Sequence, residues 1–99
     1  GSYAGSIQAS GGSSTSMTLD ISQQNQGSWA GSCTVQGTSY TISDGMVDQT
    51  GNITFSIATT DSNGNAITVS FTSTSTNSPS GWSGNYSDSS GGSGTWNVM

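Results

Sequence analysis

The stretch Asn52-Ile-Thr-Phe-Ser-Ile-Ala-Thr-Thr60 alternates apolar and hydroxyl-bearing residues, and the stretch Ala66-Ile-Thr-Val-Ser-Phe-Thr-Ser-Thr74 repeats this alternation. A period of two residues predicts β-strands with one apolar and one polar face. The Asn63-Gly64 pair between the two stretches is the strongest hairpin signal in the chain, because a type I′ turn needs a positive φ at both central positions. The two stretches therefore predict an antiparallel hairpin.

The same alternation continues along the whole chain in short runs separated by turn residues. No apolar period of 3.6 residues is maintained, so no helix is predicted. The only proline, Pro79, falls in the connection 77–80, where no ladder donor is lost, and Asp44-Gly45 is interpreted as a β-bulge. The predicted strands are Tyr3–Ala9, Ser16–Ser22, Ser28–Val35, Ser39–Asp48, Asn52–Thr60, Ala66–Thr74, Trp82–Ser87 and Gly94–Met99.

Short connections between successive strands predict sequential antiparallel pairing, which is a meander. A meander leaves two open edges, and pairing of the last strand with the first removes both. We therefore predict an all-β fold in which about eight short strands close into a small up-and-down barrel, with a two-sheet β-sandwich as the second choice. Residues 1–99 are expected to form one domain, and Gly1-Ser2 fits either a mature N-terminus or the remnant of a tag.

The charge composition excludes several classes of function. The 99 residues include no Lys, Arg, His or Glu, and the acidic residues give a formal net charge of −5. Without His or Lys there is no ordinary general base near pH 7, so we predict no enzymatic activity. Without Lys or Arg nothing pairs with the phosphates of nucleic acids or anionic lipids, so we expect no nucleic-acid binding. About three apolar residues per strand are too few for a lipid-facing band of ~25 Å, so we also expect no membrane insertion. The Ser/Thr/Asn-rich, cation-free composition predicts a secreted or cell-surface location.

Few residues offer metal or catalytic chemistry. Cys33 is the only cysteine and lies in an apolar alternation, which predicts a buried thiol and no zinc site. Asp44 and Asp48 form the nearest carboxylate pair, which we interpret as turn residues rather than as the acid and base of a glycosidase. Oxygen ligands at alternate positions also resemble a calcium loop, but a hairpin turn explains the same residues, so we predict no metal and no cofactor. These candidate calcium ligands are Asp61, Asn63 and Asn65.

Three predicted strands carry an aromatic-x-Gly-polar unit, namely Tyr3-Ala-Gly-Ser, Trp29-Ala-Gly-Ser and Trp82-Ser-Gly-Asn, and the last strand carries the reverse order in Gly94-Thr-Trp96. A glycine two residues from a large ring leaves space for a neighbouring ring and allows the strand to coil sharply. The segment Trp82-Ser-Gly-Asn-Tyr86 resembles the Trp-x-Gly-x-Tyr strand of avidin-type barrels. Gly92-Ser-Gly-Thr-Trp96 is similar to the final segment of small secreted or lipid-anchored bacterial β-barrel domains. The resemblance implies an eight-stranded barrel.

Two candidate interaction surfaces follow from the predicted strand faces. Inward-pointing aromatic residues would form a ligand site at the barrel mouth, and these are Trp29, Trp82, Trp96, Tyr3, Tyr40 and Tyr86. The outward faces of strands five and six would form a lattice of uncharged hydroxyl groups, which consists of Thr54, Ser56, Thr60, Thr68, Ser70, Thr72 and Thr74. Such a face lacks the charges that normally discourage association.

Three hypotheses about function are compatible with these features. The first is a non-enzymatic extracellular structural or adhesive module that associates with itself, as a fibre or surface-layer subunit, or with an extracellular surface. The second is a small-ligand-binding barrel that uses the inward aromatic residues. A narrower third is binding to an ice or polysaccharide surface through the Thr/Ser face.

Overall fold

A computed structural model of the chain describes residues 1–76 and 80–99. These residues contain eight β-strands and no helix. Pro79, predicted to lie in a connection, is outside the described residues. The strands are β1 (Ser2–Ala9), β2 (Ser14–Asn25), β3 (Ser28–Val35), β4 (Thr38–Val47), β5 (Ile53–Thr60), β6 (Ala66–Thr76), β7 (Trp82–Asp88) and β8 (Ser93–Val98).

Each strand pairs antiparallel with the next, and β8 pairs with β1 to close a barrel. The closing ladder extends from the pair Gly5↔Val98 to the pair Ala9↔Gly94. The prediction of an all-β, eight-stranded barrel is therefore confirmed, and the two-sheet sandwich is not the architecture observed. Closure gives the first and last strands a partner on both sides, which is the physical reason that a meander of this length forms a barrel.

Three β-bulges interrupt the ladders within residues 1–76 and 80–99. The unpaired residues are Ser22 in β2, Ser43-Asp44 in β4 and Thr74 in β6. All three lie in the half of the barrel toward which the even-numbered strands run. The bulge predicted at Asp44-Gly45 is present one residue earlier, because Gly45 itself pairs with Trp29, and the other two bulges were not predicted. A bulge shifts the alternation of side chains by one residue. In the part of the same strand that comes after the bulge, the inward and outward positions are therefore exchanged.

The hairpin at Asn63-Gly64 is confirmed, but the predicted type I′ turn is wrong. Gly64 has a φ of 83°, and Asn63 has no positive φ. The Asp61 carboxylate accepts the N–H groups of Asn63 and Asn65, both at 2.9 Å, so a turn with a single left-handed residue is satisfied internally. A positive φ at both central positions occurs instead at Gln36-Gly37, with φ values of 51° and 82°.

Aromatic rings fill the centre of the barrel. Phe55 and Phe71 are stacked with ring centroids 4.6 Å apart, and Trp96 meets both rings edge-on at 5.6 and 5.8 Å. Each such pair contributes about 0.5–1.5 kcal/mol beyond the burial of its area. The other buried apolar side chains are Met17, Leu19, Ile21, Trp29, Cys33, Ile42, Ile53, Ile57 and Val98. The barrel interior is therefore a packed core.

The glycines of the aromatic-x-Gly units lie where neighbouring strands approach most closely. A Cβ atom on Gly31 would lie 1.8 Å from the Asp20 carbonyl oxygen, and one on Gly84 would lie 2.0 Å from the Thr72 carbonyl oxygen. These positions allow the strands to coil tightly enough to close the barrel, in agreement with the prediction. At these two glycines the space is occupied by backbone of the adjacent strand, whereas at Gly94 an added Cβ would lie 2.6 Å from the ring of Tyr86, as the sequence suggested.

Candidate binding site at the barrel mouth

One end of the barrel holds an open pocket. The β2–β3 and β4–β5 connections and both chain ends lie at this end, because the odd-numbered strands begin there and the even-numbered strands finish there. The pocket has a volume of about 240 Å³, and we call it the mouth pocket. Its lining residues are Ile21, Gln24, Asn25, Ser28, Trp29, Val47, Ile53 and Trp82.

The apolar floor of the mouth pocket comes from inward positions at the strand ends. Trp29 lies near the start of β3 and Trp82 starts β7. Trp29 is 5% exposed and also packs edge-on against Phe55 at 5.3 Å, so it closes the core from above. Trp82 is half-buried and packs edge-on against Tyr3 at 4.9 Å. The two tryptophans therefore form the upper end of the packed core and the apolar floor of the pocket, where ligand atoms can contact them.

Both indole N–H groups of the mouth pocket are already used by the backbone. Trp29 Nε1 donates to the Met46 carbonyl oxygen at 3.2 Å, and Trp82 Nε1 donates to the Gly51 carbonyl oxygen at 2.8 Å. These two bonds connect β3 to the end of β4 and β7 to the β4–β5 connection, and they fix the planes of the rings. The rings therefore present carbon to the pocket, and a ligand gains dispersion and apolar burial from them rather than a hydrogen bond.

The rim of the mouth pocket carries neutral polar groups without partners. Within the described residues, the side chains of Gln24, Asn25 and Ser28 make no hydrogen bond to the protein. Each of them offers both a donor and an acceptor. Gln24 faces the pocket because the bulge at Ser22 shifts the alternation, so that Gln24 rather than Gln23 pairs with Trp29. No charged side chain lines this pocket.

The structure divides the predicted aromatic site among three places, so the six residues do not form one cage. Trp29 and Trp82 line the mouth pocket, and Tyr3 lies beside Trp82. Trp96 is a core residue that is 2% exposed, and its Nε1 donates to the Asn85 carbonyl oxygen at 3.1 Å. Inward positions on antiparallel strands are spread along the barrel axis, which is why a shared face does not make a shared site.

The two remaining aromatic residues lie toward the opposite end of the barrel. Tyr40 pairs with Cys33 in the β3–β4 ladder and receives a hydrogen bond from the Thr59 hydroxyl at 3.5 Å. Tyr86 lies 5.8 Å from Phe71, and partial burial together with the negative charge of Asp88 raises the pKa of its phenol. Neither tyrosine lines the mouth pocket.

A wider groove of about 580 Å³ also lies at that opposite end, between β1, β7 and β8. Its lining includes Gln8, Asn85, Tyr86 and Thr95. The Gln8 amide already donates to the Gly12 carbonyl oxygen at 3.3 Å. No tryptophan lines the groove, and polar atoms make up a larger share of its lining than they do in the mouth pocket.

Three of the five carboxylates are held inside turns of the same form, which we call the Asp turns: Asp48–Asn52, Asp61–Asn65 and Asp88–Gly92. In each turn one carboxylate oxygen accepts the N–H groups two and four residues further along, at 2.9 to 3.0 Å. These bonds lower the pKa of all three carboxyl groups. The leading cause is a side-chain hydroxyl bond for the first and third turns and the Asn65 N–H for the second.

The other two carboxylates are also engaged. Asp20 accepts a hydrogen bond from the Ser2 hydroxyl, and Asp44 accepts the Ser56 N–H at 3.0 Å as well as the Ser56 hydroxyl. The backbone ladder between β4 and β5 consists of two residue pairs. The hydrogen bonds from Ser56 to Asp44 add a further link between these two strands. The predicted pair Asp44 and Asp48 thus serves two separate structural purposes. Among the residues described, no three His, Cys, Asp or Glu side chains come together as a metal group.

The predicted calcium ligands form a closed turn. One oxygen of the Asp61 carboxylate is bonded to the backbone of its own turn, and the other is 3.4 Å from the Asn65 amide nitrogen, which donates to it. The geometry therefore matches the hairpin interpretation of Asp61, Asn63 and Asn65. Cys33 is buried, and burial raises the pKa of its thiol to about 12, so the thiolate that reacts or binds metals is suppressed.

The predicted hydroxyl face points outward. The β5–β6 ladder pairs Thr54 with Thr72 and Ser56 with Ser70. Thr74 departs from this lattice because it is the unpaired residue of the β6 bulge. The exposed side chain of Met46, paired with Thr54, borders the face and was not predicted as part of it. Barrel curvature wraps these rows around the surface, so they do not form a flat array.

Sequence reasoning found the two tryptophans of the mouth pocket but missed its rim. The available signal was the run of amide side chains Gln23-Gln24-Asn25-Gln26, whose first three residues extend β2 beyond its last apolar residue. Comparison of the chain with family models, curated proteins and solved structures finds no match. The resemblance to avidin-type barrels therefore stays a prediction. Within residues 1–76 and 80–99 there is no helix long and apolar enough to cross a membrane.

Proposed function

We propose that this chain is a non-enzymatic binding module that works outside the cell and holds an uncharged, ring-sized ligand in the mouth pocket. The observation that carries the proposal is the pairing of carbon surface from Trp29 and Trp82 with an unpartnered neutral rim. Convergent polar groups above an apolar floor are what small-molecule sites share. A module of this kind serves adhesion when its ligand belongs to a larger surface.

The chemistry of the chain supports binding rather than catalysis. All five carboxylates accept hydrogen bonds from the chain itself, and none lines the mouth pocket. The Cys33 thiol is buried in the core. A general acid or base needs a titratable group within reach of its substrate. The charge-poor Ser/Thr surface supports the extracellular part of the proposal.

The test is an NMR titration that follows the indole N–H signals of the three tryptophans. Trp96, which is 2% exposed, serves as an internal reference in the same spectrum. We expect uncharged ring-sized compounds to shift the Trp29 and Trp82 signals while Trp96 stays constant. Trp→Phe variants assign the signals. If uncharged compounds shift none of the three signals, or shift all three equally, the mouth pocket is not a binding site.

Self-association through the hydroxyl face is the second candidate function, and it would suit a fibre or surface-layer subunit. The observation that favours it is the exposed, uncharged face on β5 and β6, bordered by Met46, which is 54% exposed. Because the barrel is closed, association through faces is the simpler route than strand addition at the sheet edges. An ice or polysaccharide surface is a further partner for the same face.

Light scattering across a wide concentration range tests the second candidate. Thr72→Lys places a charge in the centre of the face, and Ser16→Lys places the same charge on β2, four strands away around the barrel. We expect assembly that Thr72→Lys abolishes and Ser16→Lys preserves. A protein that stays monomeric at the highest concentration contradicts this candidate and leaves the mouth pocket as the functional feature.

A further inference from the structure

The chemistry of the mouth pocket restricts which ring-sized ligand it would accept, and this inference rests on the proposed function. We infer that the ligand is a single ring of a neutral carbohydrate, either a free sugar or the exposed end of a glycan. The assignment uses four properties of the pocket, which are its size, its carbon floor, its neutral rim and its lack of charge.

The size of the pocket fits one ring. Its volume of about 240 Å³ lies below the range of ~300–1,000 Å³ that holds drug-sized ligands. The core beneath it is closed by Trp29, Phe55 and the rings that pack on them, so a ligand has no route deeper into the barrel. A longer glycan would therefore enter by its terminal residue and continue into solvent.

The floor and the rim together match the two kinds of surface on a sugar ring. A pyranose has a face of C–H groups and a perimeter of hydroxyl groups. The carbon surfaces of Trp29 and Trp82 suit the C–H face, because their N–H groups are bonded to Met46 and Gly51. Gln24, Asn25 and Ser28 suit the hydroxyl perimeter, because each both donates and accepts.

The charge distribution disfavours the other ring-sized ligands. An anionic ligand would meet a protein of net charge −5 that has no basic side chain. An organic cation would find no carboxylate among the residues that line the pocket. A purely aromatic ligand would make no use of the rim amides, so it would gain no hydrogen bond from them. A neutral polyhydroxylated ring avoids all three difficulties.

The bulge at Ser22 provides a matched pair of variants for the test. Gln24 lines the pocket, whereas Gln23 has the same side chain on the same strand, is exposed, and does not line it. Gln24→Ala removes one rim amide, and Gln23→Ala makes the same truncation beside it. Both residues are exposed, so neither variant perturbs the core.

The experiment is the indole titration with four classes of probe. The first class is neutral methyl glycosides of hexoses, pentoses and N-acetylhexosamines. The other three are an anionic sugar (glucuronate), an aromatic compound (phenol) and an organic cation (choline). We expect the glycosides to shift the Trp29 and Trp82 signals with a Kd on the order of 1 mM, as for a ligand of about a dozen heavy atoms. Gln24→Ala should weaken glycoside binding about 5- to 10-fold, and Gln23→Ala should leave it unchanged.

The outcomes separate the two levels of the argument. Shifts caused by phenol or choline but by no glycoside overturn the carbohydrate assignment and keep the proposed function. Glycoside binding that Gln24→Ala and Gln23→Ala reduce equally, or not at all, overturns the role of the rim and with it the assignment. Constant Trp29 and Trp82 signals with every probe overturn both the assignment and the proposed function.

Discussion

Gly31→Ala tests whether barrel closure depends on glycine at the points of closest strand approach. The added Cβ would lie 1.8 Å from the Asp20 carbonyl oxygen and 3.1 Å from the Ile21 Cα, both on β2. Relief requires β2 and β3 to separate by more than ~1 Å at a point where strands normally lie ~4.8 Å apart. We expect overpacking to cost about 1–3 kcal/mol and each disrupted ladder hydrogen bond about 1 kcal/mol. With two such bonds, the loss is about 3–5 kcal/mol.

The loss expected for Gly31→Ala is a large fraction of the stability of a domain of this size, which is about 5–15 kcal/mol. The matched control is Gly11→Ala. Gly11 has a φ of 75° and no atom within 4 Å of the added Cβ, so only the left-handed backbone is penalised, by about 1–2 kcal/mol. The comparison separates crowding from backbone strain.

Urea unfolding followed by tryptophan fluorescence measures both variants, since all three tryptophans lie in the barrel. With a slope of about 1–3 kcal/mol/M, Gly31→Ala should lower the midpoint by at least ~1 M and by more than Gly11→Ala does. Equal losses in the two variants, or a loss below about 1 kcal/mol for Gly31→Ala, would refute the argument that close backbone approach requires glycine there.

Three further predictions concern the engaged polar groups. The carboxyl groups of the Asp turns have pKa values below the ordinary ~3.9, so their stabilising effect is present above that pH and is lost as the pH falls through the lowered values. The urea midpoint of unfolding should therefore be lower at pH 2.5 than at pH 6. Equal midpoints at the two pH values would contradict this prediction. Asp44→Ala should accelerate hydrogen exchange at the Ser56 amide at least ~10-fold, while Asp44→Asn, which keeps an acceptor, should change it less. Cys33 should resist alkylation in native buffer and react fully in denaturant, as its buried thiol has a pKa of about 12; labelling of the native protein measured by mass spectrometry would argue against that burial.

The predictions that succeeded depended on local alternation. Strand β3 was predicted as Ser28–Val35, the range observed, because Trp29, Gly31 and Cys33 occupy every second position between two glycine-containing turns. The two-residue alternation of a strand depends only on residues that are near one another in the chain, so a single sequence is enough to detect it. Closure could also be anticipated, because an eight-stranded meander with unprotected ends has two edges to satisfy.

The rim of the mouth pocket could not be predicted in this way. Counting by twos from Ile21 points Gln23 inward, and only the bulge at Ser22 gives that position to Gln24. Bulges relieve the coiling that closure imposes on the whole sheet, so their positions depend on all eight strands rather than on local residues. The turn after Asp61 is not the type I′ turn that Asn63-Gly64 predicts. The Asp61 carboxylate accepts backbone N–H groups of the turn and so stabilises a different backbone conformation.

By itself the sequence determined the strand order, the inward-facing residues up to each bulge and the absence of cationic side chains, because these depend on residue types and on the spacing of near neighbours. Only the tertiary structure decided which inward residues meet. Strand register sets each residue's height along the barrel axis, and register is a property of paired strands. Hence Trp29 and Trp82 share the mouth pocket, while Trp96, which lies on the same inner surface, belongs to the core.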